Sequence, residues 1–117
     1  MSITQFYHQE DSNFVSWLND GKLVQKSFGN NIYALKLNSG QRVIIVELKP
    51  SKTNAFIYDR FGNPLKEITS PDPESICFGD VFYSNNDLTL ISRRADGKTL
   101  ACIVDESGEI IKTYLGY

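Results

Sequence analysis

The sequence predicts a mostly-β protein in which an antiparallel meander forms a twisted sheet, a sandwich or a half-open barrel. Short runs of alternating apolar and polar residues recur along the chain, and turn-forming residues interrupt them roughly every seven to twelve positions. The 117 residues, 41% of them apolar, are also enough for one domain with its own core. We therefore expect residues 1–117 to form a single β-rich domain.

The first thirty residues allow two interpretations. Phe14, Trp17 and Leu18 fall at helical spacing, and the residues just before them are of the type that caps a helix. We therefore expect one short N-terminal helix at 11–18. In the alternative interpretation the same residues form a strand, which pairs through a tight turn with residues 22–28.

Two strands are predicted over residues 32–37 and 42–49. The second strand has an apolar centre, Val43–Val46, without the usual polar alternation. A strand that is apolar on both sides is typical of a sheet that is covered on both faces, so we expect this strand to lie centrally. Pro50 ends it, because proline has no backbone N–H to donate to a neighbouring strand.

A hairpin is predicted from residues 55–60 and 65–69. Its connection has the pattern Asp59-x-x-Gly62, which suits a type I turn closed by a glycine at positive φ. Residues 70–75 contain two prolines. Because a residue before proline is driven out of helical backbone conformations, this segment is predicted to be a loop.

Further strands are predicted in the second half of the chain. Phe78 and Phe82 are expected to share a face of the first of them, because side chains alternate along a strand. Asn, Asp and Gly at the connections supply the backbone conformations that tight turns need. The predicted strands cover residues 76–84, 88–94, 99–105 and 109–114.

An internal similarity relates residues 55–66 to residues 101–112. Each segment contains an apolar strand, an Asp-x-x-Gly turn and a second strand with Lys, and the offset of 46 residues is near the length of a propeller blade. A fainter copy lies around residues 20–22. One interpretation is a propeller-like array of a little over two blades. We favour a single twisted sheet instead, because any hairpin with this turn looks alike and propellers typically have about four blades or more.

The sequence has no catalytic, cofactor or metal motif. His8 is the only histidine, so a histidine-based triad or a multi-histidine metal site has little to build on. The glycines stand at turns without a phosphate-binding spacing. We predict a protein that is not an enzyme and binds no cofactor or metal. A small enzyme that uses carboxylates alone is the alternative.

Cys77 and Cys102 both lie inside apolar, strand-like segments. No Cys-x-x-Cys pattern is present, and we expect two unpaired thiols that behave as small apolar side chains. A disulfide would require their strands to be neighbours.

Charge and hydropathy argue against two kinds of partner. The net charge of −2 leaves no basic surplus to neutralise nucleic-acid phosphates. The longest apolar run, Val43–Val46, is far shorter than a membrane span, and the N-terminal residues do not resemble a secretory signal. We therefore expect a cytoplasmic protein that binds neither nucleic acid nor a membrane.

Acidic and aromatic side chains favour a protein partner, and a basic one. Residues 59–117 carry ten acidic against six basic side chains, and the chain has 14 aromatic residues. Exposed aromatic residues beside acids suit an interface with a basic protein. Tyr114 and Tyr117 are candidates for exposed aromatics. The predicted partner-binding residues are Tyr58, Phe61, Asp72, Glu74, Tyr83, Asp105, Glu106 and Glu109.

In overall type the chain resembles the small immunity proteins that bacteria make against contact-dependent or secreted toxins. The resemblance rests on the hairpins Asp59–Lys66 and Asp105–Lys112 and on the acidic loop Asp72–Glu74. It implies an inhibitor whose acidic, aromatic-rimmed face covers the basic active site of a nuclease-like toxin. The alternative function is a structural module of propeller-blade-like hairpins that self-assembles. The oligomeric state stays open.

Overall fold

Antiparallel β-sheets, stacked in chain order, make up the part of the protein that a computed structural model describes, residues 2–116. Consecutive strands are neighbours in each sheet, and no helix occurs among the described residues. The strands are β1 (Ile3–His8), β2 (Phe14–Asn19), β3 (Lys22–Ser27), β4 (Ile32–Lys36), β5 (Arg42–Glu47), β6 (Ala55–Asp59), β7 (Pro64–Ile68), β8 (Ser75–Ser84), β9 (Asp87–Arg94), β10 (Thr99–Val104) and β11 (Ile110–Gly116). We call β1–β3 sheet 1, β4–β7 sheet 2 and β8–β11 sheet 3.

Sheet 1 shows that the helix predicted at 11–18 is wrong. The segment contains strand β2, in which half-buried and buried residues alternate. Asp20 and Gly21 take φ values of 52° and 80°, the positive values that a two-residue hairpin turn requires. The alternative interpretation, a strand paired through a tight turn with β3, is therefore confirmed. Burial of Trp17 between sheets 1 and 2 favours the strand over the helix.

Sheet 2 is the middle layer of the stack. Val43 and Ile45 on β5 belong to the core shared with sheet 1, whereas Ile44 and Val46 belong to the core shared with sheet 3. All four side chains are fully buried. The prediction of a central strand covered on both faces is confirmed.

A β-bulge in β8 changes the predicted face of Phe82. Phe78 lies opposite Ser92 and Asp80 lies opposite Ile91, so the residue between them, Gly79, has no counterpart on β9. The extra residue shifts the alternation by one position. Phe78 is fully buried, whereas Phe82 lies on the other side of the sheet and is 38% exposed.

The cores lie between the layers. Trp17 and Tyr58 contribute to the core between sheets 1 and 2, and Ile57, Phe78 and Leu90 to the core between sheets 2 and 3. The mostly-β antiparallel class is confirmed. The strands divide among separate layers rather than one continuous sheet, and the sandwich is the predicted arrangement that these layers match.

Two polar clusters hold the layers together. The buried side chain of Asn54 donates to the carbonyl oxygens of Glu47 and Phe78, each at 2.8 Å, and accepts from the Phe78 N–H at 2.8 Å. The buried hydroxyl of Ser70 lies 2.6 Å from that of Ser75 and 3.1 Å from that of Ser92, which anchors the loop before β8. Asn54 thus joins sheet 2 to sheet 3 with hydrogen bonds that satisfy buried backbone groups.

Candidate interaction surface

The similar hairpins β6–β7 and β10–β11 have turns of the same construction. The Asp59 carboxylate accepts from the N–H groups of Phe61 and Asn63, each at 2.9 Å, and the Asp105 carboxylate accepts from those of Ser107 and Glu109, each at 3.0 Å. Hydrogen bonds from the Ser107 hydroxyl and from backbone N–H groups lower the pKa of Asp105. In both hairpins the Asp therefore orders its own turn.

Each of these turns packs against the preceding sheet. A Cβ added at Gly62 would lie 3.0 Å from Cγ1 of Val24 in sheet 1, and one at Gly108 would lie 2.5 Å from Cγ of Lys66 in sheet 2. These glycines have φ values of 89° and 88°. A side chain at either position would be strained and would also separate the layers.

At each of these two glycine contacts, a side chain of the preceding sheet also donates a hydrogen bond to a carbonyl oxygen of the turn. Trp17 Nε1 donates to the Arg60 carbonyl oxygen at 2.7 Å, and Arg42 Nη1 donates to the Glu106 carbonyl oxygen at 2.6 Å. Arg60 and Glu106 occupy the same place in their turns, directly after the Asp. The junction between sheets 1 and 2 therefore recurs between sheets 2 and 3.

The strand registers extend this equivalence over whole faces. We call the face of each sheet that points toward the next sheet in chain order its front face, and the opposite face its back face. On the front face of sheet 2, Ile57 lies opposite Ile44 and Lys66. In sheet 3, Ile103 lies opposite Thr89 and Lys112 in the same way. Neighbouring positions follow by strand alternation.

The two front faces can be matched position by position. On sheet 2 the front face consists of Tyr33, Leu35, Ile44, Val46, Ala55, Ile57, Lys66 and Ile68. The equivalent positions on sheet 3 are Asp80, Phe82, Thr89, Ile91, Ala101, Ile103, Lys112 and Tyr114.

The equivalent faces differ in what covers them. Sheet 3 covers the front face of sheet 2, where Ile44 and Ile57 are fully buried. On the front face of sheet 3, Tyr114 is 52% exposed and Ile103 is half-buried. A groove of about 310 Å³ runs between them, lined also by Phe82, Ile91 and Ala101. This face is the candidate interaction surface.

The back face of sheet 1, at the other end of the stack, is also open. Tyr7 and Leu23 are 53% and 59% exposed, and Phe14 and Leu18 are half-buried. By strand alternation and register the residues of this face are Thr4, Tyr7, Phe14, Ser16, Leu18, Leu23, Gln25 and Ser27. No member of this set carries a charge.

Of the predicted partner-binding residues, Tyr58 and Phe61 lie at the junction of sheets 1 and 2. Tyr58 is buried in the core, with the Lys26 ammonium 4.9 Å from its ring centroid. Burial, together with the nearby Glu47 carboxylate, raises the pKa of Tyr58. Phe61 is 58% exposed at the tip of its turn, and the Arg60 guanidinium lies 5.0 Å from its ring centroid.

Asp72 and Glu74 lie on the loop before β8, at the opposite end of the strands from the Asp59 and Asp105 turns. Asp72 forms an ion pair with Arg94, which also pairs with Asp96. Glu74 is exposed, and its carbonyl oxygen accepts from the backbone of the β9–β10 hairpin. The acidic loop is therefore held to the β9–β10 hairpin of the same chain, and the Asp72 carboxylate is already paired with Arg94.

Tyr83, Glu106 and Glu109 join sheet 3 to sheet 2. The Tyr83 hydroxyl oxygen accepts from the backbone N–H of Asn38 at 2.9 Å, and burial raises the pKa of Tyr83. Glu106 accepts from the backbone N–H of Ser39 at 3.0 Å. Glu109 pairs with Lys66 at 3.2 Å. With Asp105 these residues form a cluster at the end of the strands where the Asp105 turn lies, away from Asp72 and Glu74.

Sequence reasoning missed the front face of sheet 3. Of its aromatic and aliphatic residues only Tyr114 was singled out as exposed, and Phe82 was expected to share a face with Phe78. The signal that could have found the face is the 46-residue similarity, had it been extended from the hairpins to the register of every strand. The other proposed exposed aromatic, Tyr117, lies outside the described residues.

Other chemistry in the described part of the chain is sparse. Residues 2–116 contain no group of three or more His, Cys, Asp or Glu side chains that could hold a metal ion. Cys77 and Cys102 are unpaired, because β9 separates their strands. His8 is half-buried, with Nδ1 3.0 Å from the Phe14 carbonyl oxygen. Among the same residues, no helix is long and apolar enough to cross a membrane.

Comparison with models of known protein families found no match, and a search of curated proteins found no similar sequence.

Proposed function

We propose that this protein is a non-enzymatic assembly module, in which the front face of sheet 3 binds a further β-sheet and extends the stack toward a propeller-like array. One observation carries the proposal. The eight positions that sheet 3 covers on sheet 2 recur on sheet 3 itself, where all of them except the buried Thr89 are at least partly exposed.

The composition of the face supports this role. Ile91 and Ile103 lie on the two inner strands of the face, Phe82 and Tyr114 lie on its two edge strands, and its two charged residues have opposite signs. Contiguous apolar surface with a polar rim marks interaction sites, whereas the outer face of a sheet that remains in water commonly alternates toward polar residues. The face therefore has the composition of an interface.

The layers themselves suit further stacking. Four-stranded up-and-down sheets placed side by side are the units of propellers. At both junctions within the chain, a glycine of the incoming turn lies against the last strand of the preceding sheet. The place for such a glycine on sheet 3 is next to Ile103 and Lys112, the counterparts of Ile57 and Lys66.

A tandem protein, with two full chains joined by a flexible Gly/Ser linker, tests the proposal. The linker gives the second copy a millimolar effective concentration, so even a weak face-to-face contact forms. We expect the tandem to unfold about 5 °C or more above the single chain, both measured by circular dichroism at low protein concentration.

A matched pair of variants provides the control. Tyr114 and Leu115 are adjacent on β11 and are 52% and 59% exposed, but they point to opposite faces of sheet 3. Tyr114→Lys in both copies should abolish the gain in thermal stability, and Leu115→Lys in both copies should retain it. Equal unfolding temperatures for the unmodified tandem and the Tyr114→Lys tandem would contradict the proposal.

Inhibition of a basic toxin stays a prediction. Asp72, Glu106 and Glu109 make intramolecular contacts, so the structure offers no specific observation in favour of that function. Its test uses Glu74→Lys, because Glu74 is exposed and the change leaves the Asp72–Arg94 pair intact. The inhibitor hypothesis expects weaker and less salt-sensitive binding to a basic partner, measured by calorimetry. Unchanged affinity would exclude this loop from the interface.

A further inference from the structure

We infer that the sheet bound by the front face of sheet 3 is sheet 1 of a second copy of this chain, and that two copies close into a ring of six sheets. This inference rests on the proposed function and names its partner. Each copy offers the front face of sheet 3 to its partner and receives the partner's front face on the back of its own sheet 1. A two-fold axis relates the copies, which makes two identical junctions.

The back face of sheet 1 matches the faces that are already bound within the chain. Leu18 lies opposite Thr4 on sheet 1, as Tyr58 lies opposite Val43 on sheet 2. In sheet 2 these back-face positions are buried against sheet 1. On sheet 1 the equivalent positions have no sheet behind them among residues 2–116.

The two open faces are compatible in charge. The back face of sheet 1 carries no charged side chain, and on the front face of sheet 3 the charges are Asp80 and Lys112, next to its apolar centre. Depletion of charge at the centre and aromatic enrichment are what distinguish interface cores from ordinary surface. Tyr7 from one copy and Tyr114 from the other supply aromatic rings on the two sides.

The number of sheets sets the stoichiometry. Propellers typically close with about four to eight blades, because the wedge-shaped packing of the sheets fixes the range. The described part of each copy supplies three sheets. One copy has too few and three copies have too many, so two copies are the arrangement that falls within the range.

The turn between β2 and β3, which contains Gly21, is the part of sheet 1 that would pack against sheet 3 of the second copy. Gly62 and Gly108 lie in the turns of the last hairpins of sheets 2 and 3 and pack against the preceding layer. Gly21 holds the corresponding position in sheet 1, with φ of 80°, and a Cβ there would meet nothing within 4 Å. In the ring this glycine faces the Ile103 and Lys112 region of the second copy.

Sedimentation equilibrium of the 117-residue chain and its variants tests the inference. We expect a species of about twice the 13.2 kDa of one chain. Tyr114→Lys and Tyr7→Lys, at the two ends of the stack, should each raise the dimer Kd on the order of 30-fold, as the loss of an interface aromatic that contributes strongly to binding does. Leu115→Lys, on the back of sheet 3, should leave the Kd within about threefold of the unmodified chain.

Mixing the two damaged variants tests the head-to-tail arrangement. A Tyr114→Lys homodimer and a Tyr7→Lys homodimer each contain two damaged junctions. The mixed dimer also contains two changes, but both lie in one junction and the other junction is intact. Because the loss within one junction cannot exceed what that junction contributes, the two changes are not additive and mixing should restore part of the association. A front-to-front dimer does not involve Tyr7, so an unchanged Kd for Tyr7→Lys, or no recovery on mixing, would overturn the inference.

The outcomes separate this inference from the proposed function. A tandem that is stabilised through Tyr114 but is insensitive to Tyr7→Lys would overturn sheet 1 as the bound sheet and leave the assembly role standing. Loss of dimer in Leu115→Lys to the same degree as in Tyr114→Lys would overturn the assigned face. Far-ultraviolet circular dichroism of each variant confirms that the sheets remain folded.

Discussion

Asn54 is the side chain through which sheets 2 and 3 share hydrogen bonds. Its amide is fully buried and serves both the N–H and the carbonyl oxygen of Phe78. Asn54→Ala would leave these two groups of Phe78 buried without partners, which costs about 1–3 kcal/mol for each group. We expect the free energy of unfolding in urea to fall by about 3 kcal/mol.

Asn30→Ala is the matched control for this change. The Asn30 amide donates to the Glu47 carboxylate at 2.9 Å in an exposed position. Removal of an exposed hydrogen bond changes stability by about 0.5 kcal/mol or less. Similar losses for the two variants would show that the junction does not depend on Asn54.

The buried Cys102 thiol should make the stability of the protein depend on pH in the alkaline range. Burial, with the nearby Asp72 carboxylate, raises the pKa of this thiol from 9.0 to about 11. The unfolded chain therefore releases the thiol proton more readily, and the free energy of unfolding should decrease as the pH rises from about 9 to about 11. Below pH 9 the thiol is protonated in both states, and the stability associated with it is fully present.

Cys102→Ala isolates this contribution in urea unfolding measured across the same pH range. The variant is less stable at neutral pH because it loses buried volume. Its stability should depend less on pH between 9 and 11, with the residual dependence arising from the raised pKa values of Tyr58 and Tyr83. Parallel pH curves for the variant and the original chain would exclude Cys102 as a source.

The roles of some residues could be predicted from the sequence, whereas those of others could not. The roles of Asp59 and Gly62 in their turn follow from the spacing alone, because the hydrogen bonds are local. The side of the sheet on which Phe82 lies cannot be predicted in this way. It depends on the β-bulge at Gly79, which is recognised only from the pairing of β8 with β9. Asn54 likewise acts on Phe78, 24 positions away, so no local pattern identifies it.

At the scale of elements, the turn between β10 and β11 is the contact that seats sheet 3 on sheet 2. Gly108→Ala would place a Cβ at positive φ and within 2.5 Å of Lys66 Cγ. Gly97→Ala imposes the same backbone strain, at φ of 84°, with nothing within 4 Å. We expect about 1 kcal/mol of destabilisation at Gly97 and a further 1–2 kcal/mol at Gly108, measured by urea unfolding.

Equal losses for the two glycine variants would contradict the view that the turn is seated in the junction. The additional cost at Gly108 arises because the added methyl group must displace the stem of Lys66, near its Cβ, rather than its mobile end.

Strand positions were largely predictable in the middle and second half of the chain. The strand predicted at 42–49 is observed as β5, and that predicted at 55–60 as β6, because apolar alternation and turn residues are both strong there. The sequence did not reveal β1. Gln5 takes φ of 50° at an irregularity in the pairing with β2, so Ile3 and Phe6 both face the stack although they are three residues apart.

At the scale of the molecule, the division into layers was not predicted. The alternation of residues within a strand says which side chains share a face, but not whether the next strand continues the sheet or starts another. The 46-residue similarity carried that information, because Asp59 is the last residue of β6 and Asp105 directly follows β10, the equivalent strand of sheet 3. The open front face of sheet 3 follows only once the registers of both sheets are known.

Small-angle X-ray scattering of the 117-residue chain is the most direct test of whether the open faces are joined in solution. For the closed pair of copies we expect a mass of about twice 13.2 kDa and a radius of gyration of about 17 Å, the value typical of a compact particle of twice this length. A mass of 13.2 kDa with a radius near the 13.8 Å of the single chain would contradict the ring of six sheets.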